Sequence, residues 1–114
     1  MALVTWVQLN REAVMRLRST GQRAIDKSVG GAPAEDGIAA CQELLDRLPE
    51  LTMALPVPDP RADTDLGNAL QLYKFGAGEC IVARSRDDQS AMLAAHDNLV
   101  RADREIAHML LLLG

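Results

Sequence analysis

The sequence predicts an all-α protein, an antiparallel up-down-up-down four-helix bundle whose second helix is kinked or broken near Pro49. Three observations lead there. Apolar residues recur in alternating steps of four and three along four successive stretches, the period of one buried helix face. Gly30, Gly31 and Pro33, and then Pro56, Pro58 and Pro60, interrupt the chain between those stretches. The core has to be aliphatic, because Trp6, Tyr73 and Phe75 are the only aromatic residues in 114, and Leu, Ala, Met and Ile suit helix-on-helix packing. That length also fits a single domain spanning residues 1–114, long enough to bury one core.

The first helix should run from about Ala2 to Ser28. Leu3, Val7, Asn10, Val14, Leu17, Gly21, Ala24 and Ser28 hold the spacing, with a polar exception at Asn10 and small residues at the end, where helices can approach closely. Gly30 and Gly31 supply the left-handed conformation that ends it, and Pro33, Glu35 and Asp36 suit the first turn of the next helix. The second helix carries Ile38, Cys41, Leu44, Leu45, Leu48, Leu51 and Leu55 on one face. Pro49 lacks the N–H that its turn requires, hence the expected kink or break. Pro56, Pro58 and Pro60 then make an extended connector, with Asp59 or Asp63 as the cap of the third helix.

The third helix, about Arg61 to Arg84, carries a stripe of Leu66, Leu70, Tyr73, Ala77, Cys80 and Arg84, with Leu72, Phe75 and Val82 beside it. Gly76 and Gly78 each weaken a helix interior by about 1 kcal/mol relative to alanine, so a compensation is expected. A close crossing with another helix, at the small residues of helix one, would supply it; so would a hinge, or a gap beside Tyr73 and Cys80 that admits a ligand. Ser85-Arg86-Asp87-Asp88 matches a capping box, which starts the fourth helix near Arg86. Its stripe is the longest in the chain: Asp88, Met92, Ala95, Leu99, Ala102, Ile106, Met109 and Leu113.

Net charge is −4 with a pI near 5.0, which gives no reason to expect a nucleic-acid partner. The charges are uneven, with Arg11, Arg16, Arg18, Arg23 and Lys27 early and eight acids between residues 35 and 65. Mutual attraction across the bundle is the expected outcome. No stretch approaches the roughly 20 apolar residues of a membrane span, and the opening Met-Ala-Leu-Val-Thr-Trp-Val lacks the basic start and cleavage site of a signal peptide. The expected compartment is therefore cytoplasmic, the alternative being an exported protein whose signal is absent from this chain. Ten arginines against two lysines, with abundant alanine, suggest a bacterial source.

Cys41 and Cys80 both fall on inward stripes. Counted outward from Pro58 their heights differ by about 7.5 Å in ideal helices, beyond the roughly 7 Å Cα separation of a disulfide. Two buried free thiols are the expected state; a disulfide in an exported protein is the alternative. Glu105-Ile106-Ala107-His108 has the Glu-x-x-His spacing of di-metal bundles but lacks the second pair and the extra inward carboxylates those sites need. Neither a metal nor another cofactor is expected. The pairs Asp63/Asp65 and Asp87/Asp88 are explained by helix starts.

Arg101 is followed after six residues by His108, which resembles the Arg-x(4–6)-His pattern of HEPN-type ribonucleases. The resemblance implies an all-α bundle that dimerises to pair its active sites, metal-independent RNA cleavage, and catalytic roles for Arg101 and His108. Ala102 stands where that family usually has a polar residue after the arginine. The residues otherwise point to a non-enzymatic bundle that binds another protein or itself, a homodimer included. Trp6, Leu9, Met15, Leu72, Phe75, Val82 and Leu110 to Leu112 exceed what one inward stripe per helix can use. An apolar small-molecule site near Tyr73 and Cys80 is the rival binding role, with Tyr73, Phe75, Gly76, Gly78 and Cys80 as its candidate residues.

Overall fold

The computed structural model describes residues 2–114 and contains four helices and no strands among them: α1 (Ala2–Lys27), α2 (Ala34–Thr52), α3 (Pro60–Arg86) and α4 (Gln89–Leu113). Their mutual direction follows from the contacts. Arg16 meets Glu50 while Arg23 meets Glu43, so α1 and α2 run antiparallel. Glu79 meets Asn98 while Asp65 meets His108, which sets α3 against α4 in the same sense. Arg18–Asp103 and Ser28–His96 close the ring between α4 and α1. The result is the expected four-helix bundle, a rod about 48 Å long and 19 Å across.

The predicted stripes meet in its axis. Leu17, Leu44, Leu51, Leu66, Tyr73, Leu99, Ile106 and Met109 are fully buried there. The two opposed charge regions do face each other: Arg16–Glu50 and Arg23–Glu43, each at 3.0 Å, tie α1 to α2 along their exposed edge. Pairs this exposed contribute about 0–1 kcal/mol each, so they set register more than stability. Among the described residues, no helix is long and apolar enough to cross a membrane.

Local chemistry adjusts the predicted boundaries. Helix α2 passes unbroken through Pro49 and ends one turn later at Thr52, where the amide of Met53 donates to the Pro49 carbonyl at 3.0 Å. Of the two candidate caps at the α2–α3 connection, Asp59 is the one that caps α3, its Oδ1 accepting from the amides of Arg61 and Ala62; Asp63 lies within the first turn, and its Oδ1 accepts from Val57 N–H at 2.9 Å, which pins the connector. The Leu55–Pro56 bond in that connector is cis. At the next corner the start of α4 moves by three residues. Ser85 remains in α3 and donates its hydroxyl to Ile81 O, Asp87 turns left-handed at φ 51°, and Asp88 caps α4 through Ala91 N. Trp6 is a second correction: it is core, 8% exposed, with its indole N–H donating to Ala54 O at 2.9 Å.

Candidate functional site

Helix α3 separates the five candidate residues by its own geometry. Tyr73, Gly76 and Cys80 lie three and four residues apart on its inner face, whereas Phe75 and Gly78 lie on the outer one. Tyr73 has no exposed surface. Its ring lies against Gly21 of α1, so close that a Cβ on Gly21 would fall 2.6 Å from the ring. The hydroxyl is buried without a hydrogen-bond partner in the protein, and burial, reinforced by the charge of Asp103 and opposed by that of Arg18, holds its pKa far above the ordinary tyrosine value. Gly76 is filled from the other side, since a Cβ there would fall 2.9 Å from the Leu99 side chain. The close crossing expected of this glycine therefore exists, with α4 as the partner in place of α1.

Cys80 is bonded to Cys41 in a disulfide with a Cα–Cα distance of 6.4 Å, which corrects the expectation of two free thiols. The ideal-helix count put the turn at Pro58. The connector instead runs on along the bundle before α3 begins at Pro60, and this brings Cys80 beside the Gly37–Cys41 turn, with its sulfur 3.7 Å from Gly37 O. One turn further on, Arg84 is also buried. It donates to Ala32 O, lies 3.3 Å from the Met92 sulfur, and so ties the α1–α2 connection to α3 and α4.

Outward, the same helix presents Phe75, Gly78 and Val82 on one stripe. Phe75 is 61% exposed and Val82 49%. Together with Lys74, Glu79 and Ala91 they border an open groove of about 450 Å³ between α3 and the start of α4. Nothing lies within 4 Å of a Cβ built on Gly78, so this glycine leaves the groove floor empty. Along the same seam Phe75 also borders a second hollow with Asn68, Leu72, Arg101 and Glu105. Between the two, Glu79 accepts a 2.7 Å hydrogen bond from Asn98. A smaller apolar cleft of about 220 Å³ lies across the bundle between α1 and α4, bordered by Trp6, Val7, Met15, Leu110 and Arg11.

The residue that sequence reading missed is Asp65. It looked like an acid at a helix start, yet its side chain is 12% exposed and its Oδ2 lies 2.6 Å from His108 Nδ1, while the His108 side chain is 62% exposed. Only the register of α3 against α4 makes that pair, and no short-range signal could have found it. Arg101 and His108 do not converge: Arg101 borders the hollow at Phe75, and His108 lies two turns on, about 10 Å along α4, held by Asp65. Glu105 faces the hollow with Arg101. Among the described residues, no group of three or more His, Cys, Asp or Glu could hold a metal ion.

Comparison with models of known families, with curated protein sequences and with solved structures finds no match.

Proposed function

We propose that this chain is a non-enzymatic interaction module, a rigid bundle that docks another protein or a second copy through the outer face of α3 and its seam with α4. One observation carries the reading: Phe75, a large ring with 61% of its surface exposed, stands on a face with Val82 and an empty glycine position between them. Exposed aromatics flanked by a groove are the usual anchors of protein interfaces, where burial of one such ring contributes on the order of 2 kcal/mol. The charged rim of Lys74, Glu79, Arg101 and Glu105 provides the polar border that such interfaces carry.

The disulfide also supports the exported alternative for the compartment, because buried protein disulfides persist in oxidising surroundings. The test of the function is Phe75→Glu. Light scattering and pull-down should find association in the wild type and none in the variant; equal behaviour of the two proteins would refute the role of this face.

A further inference from the structure

We infer that the partner on this face is a second copy of the chain, packed antiparallel along α3 about a two-fold axis between Gly76 and Ala77. The inference rests on the reading of the α3–α4 face as a docking surface and supplies its occupant. Such an axis exchanges positions equidistant from 76 and 77 along the helix. Phe75 of one copy thereby comes opposite Gly78 of the other, and the reverse. The largest exposed apolar side chain of the face meets a position on it where a side chain is missing and nothing lies within 4 Å. Val82 and Ala91 of the receiving copy then flank the inserted ring.

The charges follow the same symmetry. An axis in the plane of the interface keeps both α4 helices on one side of the seam, so charges along α4 and the adjoining edge of α3 meet their counterparts across it. Arg101 borders the hollow at Phe75, and Glu79 lies one turn away beside Asn98. The two-fold brings Arg101 of each copy to the height of Glu79 of the other. Glu105 and Arg86 come within about one turn of each other in the same way. Within the single chain, Arg101, Arg86 and Glu105 have no ion-pair partner among the described residues, so the dimer gives opposite charges to groups the monomer leaves unmatched. Self-complementarity in both shape and charge is what an isologous interface requires, and it selects a second copy over an unrelated protein.

Sedimentation equilibrium of the full chain tests this. The wild type should show a reversible monomer–dimer equilibrium, and Phe75→Glu and Gly78→Met should each raise the dissociation constant at least about tenfold. Gly78→Met fills open space, so far-ultraviolet circular dichroism and the melting curve of the dilute monomer should keep their native form. Arg101→Glu should weaken the dimer likewise, and adding Glu79→Arg to it should restore the dissociation constant to within about threefold of wild type. A wild type that stays monomeric at about 1 mM, or a double variant that fails to recover, overturns the inference. If that monomeric wild type still captures a different protein in a manner lost with Phe75→Glu, the docking face stands and only the second copy falls. If no Phe75-dependent capture occurs either, both readings fall.

Discussion

Two glycines of α3, one turn fraction apart, act in opposite ways. At Gly76 the space of a side chain is already occupied by Leu99, so Gly76→Ala should force the α3–α4 crossing apart and destabilise the chain by about 1–3 kcal/mol, as overpacking does. At Gly78 the space is open, and Gly78→Ala should stabilise the isolated chain by up to about 1 kcal/mol through helix propensity alone. Urea titration of both variants in a Phe75→Glu background, which removes association from the comparison, reads the two signs directly. Tyr73 supplies a third residue-scale case. Its buried hydroxyl has no partner in the protein, so Tyr73→Phe should leave stability unchanged or raise it by about 1 kcal/mol. The same burial gives a pH signature. In the unfolded chain Tyr73 ionises near its ordinary pKa of 10.0, whereas the folded chain keeps it protonated, so folding stability falls as the pH rises past that value. The slope from this one group approaches about 1.4 kcal/mol per pH unit. Urea midpoints between pH 9 and 11 should fall more steeply for wild type than for Tyr73→Phe; parallel slopes would contradict the assignment.

At the scale of elements, helix ends are set by single side chains. Asp59 satisfies two amides at the start of α3, and Asp59→Ala should destabilise the protein by about 1–2 kcal/mol, a loss that Asp59→Asn should largely avoid. Chemical denaturation of the three proteins decides it. That cap was legible in the sequence because an acid before Pro60 has a local meaning. The four stripes were legible for the same kind of reason, since period and composition are properties of one segment. The corner between α3 and α4 was less so. Asp87 and Asp88 both fit a cap, and a capping box at Ser85 is locally as good as the observed turn; the left-handed residue at Asp87 wins because it lets α3 continue to Arg86 before the chain reverses. Pairings between elements were the least legible of all. Asp65 with His108, Tyr73 on Gly21 and Gly76 on Leu99 each depend on how far one helix is shifted along another, and nothing within either segment encodes that shift. The placement of Phe75 beside the inward stripe did follow from helical spacing, but the outward position of Gly78, expected together with Gly76 beside Tyr73 and Cys80, and the empty groove next to it did not.

At the scale of the whole molecule, the bundle is held by one long aliphatic core and a single covalent tie. The Cys41–Cys80 disulfide joins α2 to α3 near the end where Arg84 also anchors the α1–α2 connection, so a covalent bond and a buried guanidinium fasten the same region. The opposite end has the Asp65–His108 contact, the hydrogen bond from Trp6 to Ala54 O and the open α1–α4 cleft. The bridged residues are 39 apart in sequence. For a loop of that length, restriction of the unfolded chain corresponds to about 4 kcal/mol of stabilisation. Domains of this size are stable by about 5–15 kcal/mol in total, so the bond accounts for a large share of the margin. Reduction with a phosphine, or Cys41→Ser with Cys80→Ser, should therefore lower the melting temperature by on the order of 15 °C. The four-helix circular dichroism signature should survive below that temperature, since the core positions of all four helices remain. Because both sulfurs are fully buried, reduction under native conditions should be slow and should accelerate with added urea, as a bond reached only through opening of the α2–α3 seam. Rapid reduction without denaturant would mean that this end of the bundle opens far more readily than its packing implies.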